Sequence, residues 1–238
     1  MSIVIRQAAA ISLGPIPRAP GADGKLPPVI AGRNPALIAL CRARLARRWG
    51  ARLGWVGAIL VGLAGLAAAP DLEVVEGSRA LLGGTLRWAC WLGAGPLLLS
   101  AVAAPAQRDR REGITTLAAL RGAPPFQLAL ARALAVIIEA TLRLGAPVLV
   151  LALSLLAQAA ARPLDVAGVL AAVVVAGALL GAAAAVCGEA AGRRGLAVFL
   201  AVVGVPWALA DFGIWPAISL PHLVGGVVAY LAEGRLLS

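Results

Sequence analysis

Charged residues gather at one internal stretch, 104–133, where Arg108, Asp109, Arg110, Arg111 and Glu112 stand between two long apolar runs. An Asp, Lys or Arg near a bilayer centre costs about 2.5–3.5 kcal/mol on insertion scales, so this stretch belongs in water and is expected to be a loop. Thr115 and Thr116 can cap a short helix after it. Leu117 and Leu120 fall three apart on one side of that helix, and Gly122, Pro124 and Pro125 end it. A short amphipathic helix held between two spans has apolar side chains to bury, and a groove on a soluble partner would bury them. The plainer alternative is a basic loop that only fixes topology.

A second polar element lies inside an apolar run. Glu139 and Arg143 are four residues apart, so they can pair along one helix face and partly neutralise each other. Intramembrane charge points to function as a rule, which makes the pair either a polar element of an interface or pathway, or a structural ion pair near the cytoplasmic end. Arg87 can snorkel outward from its own run. His222 stands alone beside Pro221, with no ligand partner at metal spacing. Cys41, Cys90 and Cys187 have no short spacing that would make a zinc site or a disulfide framework, and buried small hydrophobes are their expected role. There is no Gly-x-x-x-x-Gly-Lys-Ser/Thr loop, no His-Glu-x-x-His and no Gly-x-Ser-x-Gly. The chain is not expected to be an enzyme, and any energy must come from elsewhere.

Composition sets the frame for these residues. Of 238 residues, 61% are hydrophobic and 13% charged, against about 25% charged in soluble domains. With a mean hydropathy of +0.92, this is the profile of a polytopic, all-α integral membrane protein. A net charge of +10 would suggest nucleic acid in a soluble domain, but most of the excess flanks apolar runs. It is read as topology and contact with the lipid bilayer, with no nucleic-acid partner.

Residues 1–34 hold five prolines and several glycines and are expected to form an irregular cytoplasmic tail, with no secretory-signal pattern. Asn34 and Pro35 then make a helix start, Asn as N-cap and Pro at the first helical position. Over 35–52 the residues Arg42, Arg44, Arg47, Arg48 and Trp49 alternate with leucines, as in a basic interfacial helix lying among headgroups. Residues 53–238 are expected to form the membrane domain. Six apolar runs follow, at 53–69, 80–106, 126–160, 166–187, 196–210 and 214–232, each judged against the roughly 20 residues that cross a bilayer core. Arginines crowd the segments assigned inside, whereas the outer connections carry only Arg79 and Arg162, so both termini are expected to be cytoplasmic. In the fourth run Gly177 and Gly181 lie four apart, a spacing that lets a neighbouring helix approach closely. The six tryptophans fall near run ends, as an aromatic belt would place them.

The order of these features resembles the permease subunits of type-2 ABC exporters. The resemblance is carried by Asn34-Pro35 before a basic helix, two spans, then Arg108-Asp109-Arg110-Arg111-Glu112-Gly113-Ile114-Thr115-Thr116-Leu117, Gly122-Ala123-Pro124 and a third long span, over about residues 34–210. In that family a segment similar to Glu-Arg-Arg-Glu-Gly-Thr-Leu-Glu-Leu-Leu forms the cytoplasmic loop between the second and third spans. Asp109 stands where a glutamate is more usual, and Ala118-Ala119 replace bulkier or acidic residues. The resemblance implies a six-span permease of the bacterial cytoplasmic (inner) membrane. It would pair with a second permease copy or a homologous permease, over two ABC ATPase subunits that hold the ATP and Mg; this chain would hold no cofactor. On that model Arg110, Arg111, Glu112, Gly113, Thr115, Thr116, Leu117 and Leu120 belong to the ATPase-coupling helix, and 35–52 is the connecting helix at the inner surface. Two other classes stand beside it: a structural membrane subunit that moves nothing, and an ion-driven secondary transporter, against which the few intramembrane ionisable residues argue.

Overall fold

The computed structural model describes residues 35–69, 75–103, 105–111, 113–120 and 124–213. The expected N-terminal tail, the Asn34 cap, Glu112, His222 and the sixth run at 214–232 lie outside the described residues. Every regular element among those described is helical. Three helical stretches are long and apolar enough to cross a membrane: Trp49–Ala68, Pro125–Ala157 and Pro163–Ala210.

The first helix, α1, covers Pro35–Ala46, and α2 covers Trp49–Ala68. The basic helix expected over 35–52 is therefore shorter, because Arg48 is extended at φ −72 and ψ 147 and separates the two. The reason lies in what each helix covers. Leu37, Cys41 and Leu45 are buried along α1, the first two in a small cluster with Ile114, Ala118, Leu128, Ala131 and Ala135. The buried face of α2 is made of Gly50, Ala51, Gly54, Gly57, Ala58, Val61, Gly62 and Gly65, and packs both on the helix Pro125–Ala157 and on the helical run 75–102. Trp49 and Arg52 thus belong to the first turns of the apolar helix.

The helical run 75–102 comprises α3 (Val75–Trp88), a π-helical turn at Ala89–Ala94 and α4 (Gly95–Val102). A Cβ built on Gly50, Gly54 or Gly57 would collide with the carbonyls of Pro96, Gly93 and Leu92 respectively. Pro96 has no N–H, so the Leu92 carbonyl loses its usual i+4 donor. Gly57 packs its bare backbone on that carbonyl. The run covers most of the expected second span, but by length and composition it does not join the three apolar stretches. Arg87, paired glycines at 83 and 84, and Pro96 dilute it.

The charged segment is not a loop. Pro105–Arg111 forms α5, and Ile114–Leu120 forms α6, with Gly113 at φ +71 between them. Thr115 and Thr116 lie inside the first turn of α6 and are exposed, so they do not cap it. The helix starts one residue earlier because Ile114 and Ala118, four apart, bury their side chains at 2% and 4% exposure. The side chains of Leu117 and Leu120 lie outside the described residues.

Pro125–Ala157 is α7 and Pro163–Ala191 is α8. Ala159, at φ 55, closes α7 with a bond from Ala160 N–H to the Leu155 carbonyl at 2.9 Å. The two helices pack with α8's glycines inward: a Cβ on Gly177 would lie 2.8 Å from Thr141 Cα, and one on Gly181 2.7 Å from Ile137 Cα. The small-residue spacing in the fourth run is satisfied within this chain. The long stretch Pro163–Ala210 turns at Gly192, whose φ of 53 a glycine adopts freely, and Gly195 returns against Gly188. Beyond it come α9 (Gly195–Phe199), a second π turn (Leu200–Gly204) and α10 (Val205–Asp211). Trp207 stacks on Trp91 at 4.2 Å and is 4% exposed, so it is a core residue and not a belt anchor. Trp49 and Trp88, by contrast, are about 60% exposed (62% and 59%).

Candidate coupling and docking site

Along α7, Arg132, Glu139 and Arg143 follow at i, i+7 and i+11, a spacing that returns to one helix face. Each is paired. Arg143 is fully buried, and its Nη1 donates to Glu139 Oε2 at 2.6 Å and to the Glu139 carbonyl at 2.8 Å. Its Nη2 reaches across to the Ala51 carbonyl of α2 at 3.2 Å, and its guanidinium lies 5.0 Å from the Trp55 ring centroid. Glu139 accepts a second cation from outside the helix, Arg42 of α1, at 3.0 Å. One buried carboxylate therefore joins α1 to α7, and one buried guanidinium joins α7 to α2.

Two turns toward the start of α7, Arg132 forms a triad. Its Nη1 donates to Asp109 of α5 at 2.5 Å and its Nε to Glu189 of α8 at 2.6 Å. Asp109 is only 4% exposed, which for a carboxylate requires such a partner. The triad holds α5 to the long helices α7 and α8. Arg48, in the break before α2, donates to the Ser100 carbonyl of α4 at 3.0 Å.

What α5 and α6 leave outside is as informative as what they bury. Arg110, Arg111, Thr115 and Thr116 are exposed, whereas Asp109, Ile114 and Ala118 face inward. Of the residues singled out in the sequence, Arg42, Glu139 and Arg143 come together, and Arg44 and Arg48 border a cavity beside Asp109 and Arg132. Arg47 and Trp49 are exposed and outside both clusters. Sequence reasoning missed Arg132, Asp109 and Glu189 as a triad. The signal was there in part, since a third charge on the Glu139–Arg143 stripe needs a partner from another element. Among the described residues no three His, Cys, Asp or Glu side chains converge as a metal site.

Cys41 lies on α1, outside the apolar stretches, and tests the local field. Burial pushes its thiol up from 9.0 to about 11, with the Asp109 carboxylate adding to the rise and Arg132, Arg44 and Arg48 opposing it. Between pH 9 and 11 the folded chain holds a proton that the unfolded chain has lost. The stabilisation is thus complete below pH 9 and disappears as the pH rises through 11. Alkylation of Cys41 by iodoacetamide, followed by peptide mass spectrometry, should rise with a midpoint near pH 11. A midpoint near 9 would show that the thiol is not held in this environment.

No family model matches the chain, and neither a curated protein nor a solved structure matches it.

Proposed function

We propose that this chain is the six-span permease subunit of an ATP-driven type-2 ABC exporter, coupling ATP hydrolysis by a separate subunit to movement of a substrate across the bacterial inner membrane. The observation that supports it best is the pair α5–α6: two short helices hinged at Gly113, exposed on one side through Arg110, Arg111, Thr115 and Thr116, and tied on the other through Asp109 to Arg132 and Glu189. A partner pressing on the exposed side acts on α7 and α8 through that triad. A ligand shifts such an equilibrium only through different contacts in the two states, and this surface is where ATP-dependent contacts would be made. Two ATPase subunits, holding ATP and Mg, would dock here, beneath a dimer of permease chains with cytoplasmic termini.

The tagged chain, drawn from its native membrane in mild detergent, should bring with it a protein bearing a phosphate-binding loop. Arg110→Glu combined with Arg111→Glu should weaken that association about tenfold, or about 1.4 kcal/mol. Recovery of membrane proteins alone would replace the exporter with a structural subunit of a larger complex.

A further inference from the structure

As far as Gly57, the backbone of α2 lies tightly on the carbonyls of Pro96, Gly93 and Leu92. Beyond that point, toward Ala68, a groove of about 470 Å³ opens between α2 and α3. Sites for small molecules run from about 300 to 1,000 Å³. Leu60, Val61, Ala64, Leu81, Trp88 and Leu92 make its walls apolar. Gly65, Ala80 and Gly84 contribute little or no side chain, and a Cβ on Gly84 would meet nothing within 4 Å.

One hydroxyl lines this groove, that of Thr85. Thr85 is 5% exposed, and no group among the described residues hydrogen-bonds its hydroxyl. Its Oγ1 lies 3.2 Å from where a Cβ on Gly65 would stand, so it is turned toward α2 and the space that Gly65 leaves. A buried hydroxyl is costly without a partner, which favours a ligand that accepts from it. The position of the hydroxyl narrows the choice. The 20 residues of α2 rise about 30 Å, the thickness of a bilayer's hydrocarbon core. Gly65 is three residues from the end of α2, which sets Thr85 about 5 Å inside the edge of that core. From there the groove runs toward the level where Leu92 meets Gly57. Around it Ile59, Leu60, Leu63 and Trp88 are all more than half exposed, so in a membrane it opens onto hydrocarbon. An ester-linked lipid has this layout, with a carbonyl acceptor at the edge of the core and methylenes leading inward.

We propose that this groove holds one acyl chain of an ester-linked membrane lipid, whose ester carbonyl accepts from the Thr85 hydroxyl and whose methylenes lie over Gly84 between α2 and α3. The site goes beyond the transport function and stands whether or not the chain moves a substrate. Seated there, the acyl chain fills the gap that the two helices leave where their close contact ends.

The test offers the full chain, in a neutral detergent, either phosphatidylcholine with two ester-linked chains or its diether analogue, which lacks both carbonyls. Retained lipid is read by native mass spectrometry. The ester lipid should be retained about fivefold better, the size of one net hydrogen bond. Thr85→Val, of nearly the same shape, should erase that preference. Gly84→Leu should fill the groove and cut retention of both lipids about tenfold. Gly83→Leu, whose side chain also starts in open space but outside the groove, should leave the parent's values unchanged. Equal retention of the two lipids by the parent overturns the proposal, as does a Thr85→Val chain that keeps the ester preference. That comparison stands by itself if Gly84→Leu does not fold. A parent that carries no lipid and runs as a dimer, which Gly84→Leu splits into monomers, also overturns it and gives the groove to a second copy of this chain.

Discussion

Arg143→Ala should be among the most damaging single substitutions in this chain. Its guanidinium is fully buried and bonds to Glu139, to the Glu139 carbonyl and to the Ala51 carbonyl. Removing one partner of a buried pair leaves the other charge uncompensated, at a cost of about 3–5 kcal/mol. Arg42 remains beside Glu139 and is 40% exposed, so the loss belongs at the lower end of that range. Replacing both members, Glu139→Leu with Arg143→Met, should recover much of the stability, because no charge is then stranded in the apolar interior. Thermal unfolding in detergent, followed by tryptophan fluorescence, would measure the single and double variants in one cycle. An Arg143→Ala chain that unfolds within a degree or two of the parent would show that the pair carries no such weight.

The second large effect concerns α2's glycine face. Gly57→Ala places a methyl against the Leu92 backbone, 2.6 Å from its carbonyl carbon, in a contact that backbone cannot relieve by a rotamer change. Overpacking a side chain costs about 1–3 kcal/mol, and a clash with backbone belongs at or beyond the top of that range. Gly54→Ala meets the Gly93 carbonyl and the Arg143 side chain together, so it should disturb the ion pair as well. Gly83→Ala is the internal control. Nothing lies within 4 Å of its Cβ, and an alanine in a helix interior gains about 0.5–1 kcal/mol over glycine. Equal unfolding temperatures for Gly57→Ala and Gly83→Ala would mean that α2 does not approach the 75–102 run as closely as described.

How much of this was legible depends on whether the information is local. The all-helical class and the long apolar stretches follow from composition and run length, and a spacing of four was enough to pair Glu139 with Arg143. The turn between the fourth and fifth runs needed only Gly192 beside two arginines. Three things were not legible. The break at Arg48 has no proline or glycine of its own; on either side of it α1 packs over Ile114, Ala118 and the first turns of α7, and α2 packs over the 75–102 run and the middle of α7. The helix at α5 was hidden because a dense charge cluster reads as a solvated loop, whereas Asp109 is drawn inside by an arginine 23 residues away. The partners of Arg132 come from two other elements, α5 and α8, and no single window of sequence contains them.

The polar stripe of α7 has a consequence for how such a chain is made. Arg42, Arg132 and Arg143 are matched by Asp109, Glu139 and Glu189, so the two clusters together are neutral. Neutrality is reached only in stages as the ribosome delivers the chain. An isolated arginine at mid-bilayer costs about 2.5–3.5 kcal/mol to insert, and α7 carries Arg143 fully buried within its apolar stretch. Arg42 and Asp109 are both synthesised before α7, so a cation for Glu139 and an anion for Arg132 already wait when it emerges. Glu189, 57 residues after Arg132, arrives last. In a membrane, a chain inserted in order of synthesis would bring Glu139 and Arg132 to counter-charges already in place, and α8 would supply the last one.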